Sequence, residues 1–211
     1  MAKLHYFYSV MNAGKTTQLL QVRHNYLESG GTVALFTSAI DDRSGIGKIS
    51  SRIGLSADAI ALRASDNLAA IVRKLHAETP LSAVLIDEVQ FLTSEQIWQA
   101  AEIVDSLSLP VIAYGLKVNA FGELFSPAIA TLLALAEDIK EIKTLCHCGR
   151  KATMILRYDP DGTAVKAGEV IEVGGESRYV SVCRPHWMAG DIGATRRAAL
   201  CEAVAAPIQA A

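Results

Sequence analysis

The sequence has no excess of charge of either sign. Its 20 Lys and Arg residues are set against 22 Asp and Glu residues, which gives a formal net charge of −2. A chain with this balance creates no overall field that would attract a polyanion. Aromatic residues make up only 6% of the chain, and no segment mixes basic and aromatic residues as nucleic-acid-binding surfaces do. We therefore expect no nucleic-acid partner.

Long apolar runs are also missing. No run reaches the roughly 18 apolar residues needed to cross a bilayer, and the N-terminus has no charged segment followed by an apolar one, as export signals have. We therefore expect a cytoplasmic protein with no membrane partner. Cysteines number only four, and without an export signal they favour metal binding or buried thiols over a disulfide framework.

Among the residues that are present, the most informative segment follows the strand-like run 3–8 and reads Ser9-Val10-Met11-Asn12-Ala13-Gly14-Lys15-Thr16-Thr17. Such a loop turns the backbone so that its N–H groups converge on phosphate oxygens at a helix N-terminus. Lys15 would reach the outer phosphates, and the Thr16 hydroxyl would ligate magnesium. The usual pattern opens with glycine, whereas this one opens with Ser9, so a simple helix N-terminus capped by Ser9 or Asn12 is the alternative. The segment predicts nucleoside triphosphate binding.

A second signal is the apolar run 83–86, which ends in Asp87 and Glu88. Buried parallel strands have this pattern when their C-terminal tip faces a phosphate site. Asp87 would hold magnesium, and Glu88 would take a proton from a nucleophile or orient a water. The alternative is an acid pair that only solvates a strand end. Together with Lys15 and Thr16, the pair favours phosphoryl chemistry.

The first two thirds of the chain alternate short strand-like runs with helical patterns, which predicts an α/β fold with a parallel sheet flanked by helices. We expect helix boundaries at Gly30-Gly31, at a capping box over Thr93 to Gln96 and at Ser126-Pro127. Segments 38–57 and 115–125 lack a regular pattern and are expected as loops. Strands are expected at 3–8, 32–37, 83–87, 111–114 and 139–145.

The character of the chain changes near residue 143. The part beyond has short strand-like runs, a turn at Asp161-Gly162 and the pair Gly174-Gly175, which indicates a small subdomain stapled by a metal. We assign residues 1–142 to a nucleotide-binding core, 143–190 to this subdomain and 191–211 to an alanine-rich tail that begins as a helix.

The ligands of that metal are expected to be Cys146, Cys148, Cys183 and His186. Three thiolates and one imidazole match the ligands of a closed zinc site, and a site without an open position is structural rather than catalytic. Buried free thiols remain the alternative, and His147 competes as a ligand. Cys201 lies outside the group.

Arg43 and Asp41 lie in the irregular segment 38–57. Arg43 could reach nucleotide phosphates, or the two residues could form a solvated loop pair.

Several motifs occur along the chain in a recognisable combination. They are Met11-Asn12-Ala13-Gly14-Lys15-Thr16, Ile40-Asp41-Asp42-Arg43, Ser50-Ser51-Arg52-Ile53-Gly54, Asp87-Glu88-Val89-Gln90-Phe91, Tyr114-Gly115-Leu116, Gly122-Glu123-Leu124-Phe125, Cys148-Gly149-Arg150-Lys151-Ala152, and Gly174-Gly175 followed by Arg178-Tyr179-Val180-Ser181-Val182-Cys183-Arg184. Together they closely resemble the zinc-bearing cytosolic (type II) thymidine kinase family over about residues 1 to 188. The resemblance implies a RecA-like P-loop core, a zinc-stapled lasso domain and a homotetramer. It also implies transfer of the γ-phosphoryl group of ATP to the 5′-hydroxyl of thymidine, with deoxyuridine as a second candidate nucleoside.

By this resemblance, Glu88 is the proton acceptor and Thr16 and Asp87 hold magnesium. The residues expected at ATP are Ser9, Val10, Met11, Asn12, Ala13, Gly14, Lys15, Thr16, Arg43, Asp87, Glu88, Val89 and Gln90. Those expected at the nucleoside are Met11, Phe91, Leu116, Ala120, Phe125, Val170, Ile171, Glu172, Val173, Gly174 and Tyr179.

One stretch departs from the family pattern. Relatives usually carry an Asp-Phe pair whose ring packs on the substrate, whereas this chain has Asn119-Ala120 followed by Phe121. Either the loop shifts so that Phe121 fills the pocket, or the pocket is roomier.

Two rival functions stay open at this stage. The phosphate loop and the acid-tipped strand also fit an ATPase that reads nucleic acid through its zinc module. A zinc-stapled regulatory protein that binds ATP without catalysis is the other rival.

Overall fold

The computed structural model describes residues 1–41, 45–169 and 178–205, with side chains described as far as residue 200. Contacts divide the chain into two compact units. The first comprises 1–9, 13–117 and 124–142, and the second comprises 10–12, 118–123 and the chain from 143 onward. Among the predicted site residues, Arg43 and the nucleoside segment Val170 to Gly174 lie outside the described residues.

A parallel sheet forms the centre of the first unit. Its strands are β1 (Leu4–Ser9), β2 (Val33–Ser38), β5 (Ile60–Leu62), β6 (Ala83–Ile86), β7 (Val111–Leu116) and β8 (Asp138–Glu141). They lie in the order β5-β2-β6-β7-β1-β8, and every neighbouring pair is parallel. The predicted parallel α/β architecture is confirmed.

Helices cover both faces of this sheet. Successive residues of a strand point to opposite faces, so alternate residues of one strand pack against different helices. Val84 and Ile86 pack with the cluster that includes α2 (Leu68–Glu78), α3 (Ser94–Leu107) and α4 (Pro127–Leu135). Leu85, between them, packs with the cluster that includes α1 (Lys15–Glu28). Residues of β6 are therefore buried on both sides, as its uninterrupted apolar sequence predicts.

The helix boundaries agree with their sequence signals. α1 ends at Glu28, just before Gly30, whose φ is 78°. Thr93 and Gln96 form both hydrogen bonds of the capping box. Ser126 is the N-cap residue of α4 and Pro127 opens the helix, as predicted, although the Ser126 side chain makes no capping hydrogen bond. Its Oγ instead donates to the Gln90 carbonyl at 2.8 Å.

The capping box at Thr93 gives a first testable expectation. Thr93→Ala removes the oxygen that accepts the Gln96 N–H at 3.2 Å, so the free energy of unfolding should fall by about 1 kcal/mol. Urea unfolding followed by circular dichroism measures the change. Ser65→Ala, at an exposed loop position, is the control and should change the value by less than about 0.5 kcal/mol. Equal losses in both variants would contradict the assignment.

The segment 38–57 is more regular than predicted. β3 (Lys48–Ser50) and β4 (Ser56–Asp58) pair as an antiparallel hairpin, and β5 then joins the edge of the main sheet beside β2. Strands of three residues are too short to give a clear periodic signal in sequence. Ile49 is the only buried side chain of the hairpin strands, so even this pair has little apolar patterning.

The second unit contains an antiparallel sheet in the order β10-β9-β11, made of β9 (Met154–Tyr158), β10 (Ala164–Val165) and β11 (Tyr179–Val182). The predicted turn at Asp161-Gly162 is present, with φ of 84° at Gly162 and the Thr163 N–H donated to Asp161 Oδ1 at 2.9 Å. Helices α5 (Arg184–Ala189) and α6 (Ala194–Ala205) follow. Among the described residues, no helix has the length and apolar character required for a membrane span.

Candidate functional site

The sheet order places the predicted phosphate loop and the two acidic residues at one edge. β7 lies between β6 and β1, and all three strands end at the same side because they are parallel. The loop follows β1 and the acids follow β6. Ligands of open α/β sheets bind at this carboxyl edge.

The loop itself needs unusual backbone angles at two positions. Asn12 and Gly14 have φ of 60° and 84°, in the left-handed region that asparagine and glycine tolerate best. Ser9, by contrast, is still part of β1, so a glycine is not required there. Its Oγ accepts a hydrogen bond from the Lys15 Nζ at 3.4 Å. The serine thus fits the loop rather than interrupting it.

Thr16 and Asp87 form the oxygen pair expected of a magnesium site. The Thr16 hydroxyl donates to Asp87 Oδ2 at 3.0 Å. The pKa of the buried Asp87 carboxyl is raised to about 7, first by burial and then by the neighbouring Glu88 carboxylate, while the bond from Thr16 lowers it. Hydroxyl and carboxylate oxygens are the ligand types that Mg²⁺ takes beside phosphates, so this donor set fits the ion.

Glu88 adopts a strained backbone conformation, with φ of 50° and ψ of 42°. A left-handed non-glycine residue costs of order 1 kcal/mol and clusters at functional sites. Its side chain is buried, and its carboxylate accepts a hydrogen bond from Gln90 Nε2. Val89, which follows, places its side chain fully in the core.

The predicted nucleoside residues of the first unit include an aromatic pair. The rings of Phe91 and Phe125 meet edge to face, with centroids 5.4 Å apart. Leu116 ends β7 and is buried, and its carbonyl accepts the Tyr6 hydroxyl at 3.0 Å.

In the second unit lie the predicted residues Met11, Ala120 and Tyr179. The backbone carbonyl of each accepts a hydrogen bond from a side chain elsewhere in that unit. The Met11 carbonyl accepts the Ser181 hydroxyl at 2.6 Å. Trp187 Nε1 donates to the Ala120 carbonyl at 3.0 Å. The Tyr179 carbonyl accepts a bond from Arg196 at 3.2 Å.

The loop around Ala120 is organised by a residue that sequence reasoning missed. Asn119 is buried, and its Oδ1 accepts the N–H groups of Phe121 at 2.9 Å and Glu123 at 3.1 Å. Asparagine side chains commonly fold onto nearby backbone in this way. The departure from the family pattern is therefore an ordered loop with Ala120 buried.

The four predicted metal ligands converge in the second unit. Ligand atoms of Cys146, Cys148, Cys183 and His186 all lie within 4.8 Å of one another. The sulfurs of Cys148 and Cys183 are 3.8 Å apart, and His186 Nδ1 is 3.2 Å from the Cys146 sulfur. With bond lengths of about 2.0 to 2.3 Å, the ligand atoms of a tetrahedral zinc site lie about 3.3 to 3.8 Å apart. These residues could hold a metal, and the donors fit zinc.

A second group contains His147, His186 and Asp191, whose ligand atoms also lie within 4.8 Å of one another. His147 stacks on His186 with ring centroids 4.3 Å apart. His147, which the sequence offered as a competing ligand, therefore lies beside the cysteine group but belongs to this second group.

Comparison with known proteins gives consistent results. The family model described as thymidine kinase matches residues 2–187. The chain is 50% identical over 188 residues to a thymidine kinase of Agrobacterium fabrum, covering 89% of this chain and 97% of that protein. It is 50% identical to one of Ruegeria pomeroyi, covering 92% and 98%, and 51% identical to one of Idiomarina loihiensis, covering 89% and 96%.

One of the matching solved structures is only weakly similar. A crystal structure of Pif1 helicase from Candida albicans aligns with a TM-score of 0.39 and 14% identity, covering 67% of this chain and 36% of that one. That likeness is too low to bear on function. The family match spans nearly the whole chain, so this protein belongs to the thymidine kinase family.

Proposed function

We propose that this protein transfers the γ-phosphoryl group of ATP to the 5′-hydroxyl of thymidine, which gives the nucleoside monophosphate and ADP. The observation that carries the proposal is the hydrogen-bonded series from Thr16 through Asp87 to the adjoining Glu88, beside the phosphate loop. Family membership supplies the substrate class, because the similar proteins are named thymidine kinases. Deoxyuridine is a second candidate acceptor.

The ATP site in this proposal uses the loop from Ser9 to Thr16, with Val10, Met11, Asn12, Ala13 and Gly14 contributing backbone amides. Lys15 balances charge on the outer phosphates. Magnesium held by Thr16 and Asp87 would supply further positive charge at the phosphate oxygens when bound. Val89, Gln90 and Arg43 complete the proposed set around ATP.

Glu88 is proposed to accept the proton of the 5′-hydroxyl. The nucleoside oxygen forms a bond to the γ-phosphorus while the bond from that phosphorus to the bridging oxygen breaks, so ADP leaves with the electron pair. A loose in-line transition state asks the protein mainly for positioning and charge stabilisation. Buried carboxylates near such a hydroxyl suit this role.

The nucleoside is proposed to be held by apolar side chains and by backbone groups. Apolar and aromatic residues pack around a base, and an extended backbone pairs with its edge. The proposed set is Met11, Phe91, Leu116, Ala120, Phe125, Val170, Ile171, Glu172, Val173, Gly174 and Tyr179.

The metal of the second unit is proposed to be structural zinc on Cys146, Cys148, Cys183 and His186. Four protein ligands leave no open position for a substrate. We also propose a domain division at residues 142 and 190, with the zinc-stapled lasso between them.

We further propose a homotetramer in the cytoplasm. The assembly is carried over from the resemblance to the family, and the location from the availability of ATP as the phosphoryl donor.

A nucleoside panel tests the reaction. Purified protein is given radiolabelled ATP, magnesium and thymidine, deoxyuridine, deoxycytidine or deoxyadenosine, and labelled monophosphate is measured. Label transfer to thymidine supports the proposal. ATP hydrolysis stimulated by single-stranded DNA, lost with added salt and without nucleoside phosphorylation, would favour the ATPase that reads nucleic acid. ATP binding without consumption would favour the regulatory protein.

A further inference from the structure

Gln90 is almost fully buried, at 1% exposure, and both ends of its amide are engaged. Its Oε1 accepts the Leu116 N–H at 3.0 Å, and its Nε2 donates to Glu88 Oε2. The Gln90 carbonyl also accepts the Ser126 hydroxyl at 2.8 Å. A buried amide with these partners has a fixed orientation. If it were turned over, its NH₂ group would face the Leu116 N–H and its oxygen would face the Glu88 carboxylate.

Gly115 makes room for this arrangement. A Cβ at this position would lie 2.5 Å from Gln90 Oε1 and 2.7 Å from Val89 Cγ1. The backbone of Gly115 is not left-handed, so glycine is needed here for space rather than for its torsion angles. Any side chain at 115 would have to displace the Gln90 amide or Val89.

From these contacts we propose that Gln90 is a positioning residue for Glu88, acting by holding one carboxylate oxygen and so fixing the orientation of the carboxylate toward the nucleoside hydroxyl. The idea rests on the proposed role of Glu88 as proton acceptor. Glu88 needs such support because its left-handed backbone is a conformation that the residue alone disfavours. The side-chain amide of Gln90 is engaged by these protein groups, so the place of Gln90 in the proposed ATP set would depend on its backbone, while its side chain acts on Glu88.

The test is a kinetic double-mutant cycle with Gln90→Met and Glu88→Gln. Gln90→Met keeps the volume but removes both amide bonds. We expect kcat to fall by about 10²-fold, as for a misplacement of about 1 Å, with the KM values for ATP and thymidine changed less than twofold. In the Glu88→Gln background the same substitution should cost less than threefold, because no base is left to position.

Two further variants keep the test decisive. Gln99→Met is the matched control, since Gln99 is also buried and accepts a backbone N–H, that of Leu68 at 2.8 Å, but should leave kcat unchanged. Gly115→Ala displaces the Gln90 amide without altering its chemistry, and it should lower kcat in the same way if Gln90→Met does not fold. Circular dichroism checks the fold of each protein.

Several results would overturn the idea. These are an unchanged kcat in Gln90→Met, an equal loss in the Glu88→Gln background, or a raised KM for ATP at normal kcat, which would mark Gln90 as an ATP contact. Failure of the proposed function looks different, because the unmutated chain would then not phosphorylate thymidine at all.

A separate observation concerns Asp191, which lies behind the proposed zinc ligand His186. His186 Nδ1 faces the cysteine sulfurs, while its Nε2 lies 3.9 Å from Asp191 Oδ2. The other carboxylate oxygen accepts the Gly193 N–H at 2.9 Å, and the Asp191 N–H donates to the His186 carbonyl at 2.9 Å. The carboxylate is thus held beside the ring by the backbone.

We infer that Asp191 orients His186 for the metal. When Nδ1 binds a metal, Nε2 carries the proton, and a carboxylate opposite it fixes the tautomer and the ring orientation. His147 Nε2 also lies 3.9 Å from Asp191 Oδ2, but the ring of His147 is not needed for this role. The inference rests on the proposed zinc site.

Zinc affinity, measured by competition with a chromogenic chelator, tests this role. Asp191→Asn should weaken zinc binding by about 10-fold, the lower end of the cost of losing a carboxylate partner, because the contact of 3.9 Å is electrostatic rather than a hydrogen bond. Asparagine can still accept the Gly193 N–H but carries no charge. Asp161→Asn, which likewise loses a carboxylate bonded to a nearby N–H, should bind zinc normally, and so should His147→Gln. A shifted visible spectrum of the cobalt-substituted Asp191→Asn protein is expected as well.

Unchanged affinity in Asp191→Asn would overturn the inference, and weakening only in His147→Gln would assign the role to that histidine. A wild-type chain without metal would instead refute the zinc site.

Discussion

Glu88→Gln is expected to lower turnover by about 10²- to 10⁴-fold, the usual contribution of a positioned general base. Glutamine has the same shape, and its Oε1 can accept the bond that Gln90 donates to Glu88. The side chain should therefore stay in place but be unable to take a proton. The fold and the affinity for ATP are expected to be unchanged.

Initial rates of thymidine phosphorylation measure the loss, with equilibrium binding of a non-hydrolysable ATP analogue measured in parallel. Glu78→Gln, at an exposed site at the end of α2, is the control and should keep full activity. Turnover close to normal in Glu88→Gln would remove this residue from the base role.

Cys183→Ser is expected to lose the metal and much of the order of the second unit. Cys183 is buried and immediately precedes α5, so the change removes a ligand at the point where β11 ends and that helix begins. Structural zinc contributes about 10 to 16 kcal/mol in small zinc domains, which is comparable with the whole stability of a typical protein, about 5 to 15 kcal/mol. The melting temperature should therefore fall sharply.

Metal content by mass spectrometry, thermal unfolding and limited proteolysis check this expectation. We expect about one zinc per chain in the unmutated protein, none in Cys183→Ser, and new cleavage after residue 143. Cys201→Ser, outside the ligand set by sequence spacing, should retain its zinc. A metal-free Cys183→Ser protein with unchanged melting would mean that the cysteine group does not staple the fold.

Features encoded by local sequence were predictable. The turn and helix at the predicted phosphate loop, the apolar strand β6 with its terminal acids, and the capping box at Thr93 each depend on a few neighbouring residues, and each appears where the pattern puts it. Parallel pairing followed from the alternation of strands and helices. The metal-ligand group was recognisable as two short motifs, one with Cys146 and Cys148 and the other with Cys183 and His186, because cysteine and histidine are the usual zinc ligands.

What the sequence did not reveal depends on partners far apart in the chain. Gln90 contacts Leu116 and Glu88 only because the turn after β6 packs against the end of β7, and no short-range pattern records that. Ser126 has the sequence pattern of a helix cap, but its hydroxyl donates to the carbonyl of Gln90, 36 residues earlier in the chain. The hairpin β3–β4 was not predicted because its short strands bury little apolar surface and so give no clear alternation in sequence.

The left-handed backbone at Glu88 has a consequence for how such a protein can change under selection. Glycine would adopt those angles without strain and would relieve of order 1 kcal/mol there. It would also leave the buried Gln90 amide without its acceptor, at a cost of about 1 to 3 kcal/mol. The strain at Glu88 therefore cannot be removed by this substitution without a loss elsewhere in the same site, and heat tolerance in this protein would have to be acquired at other positions.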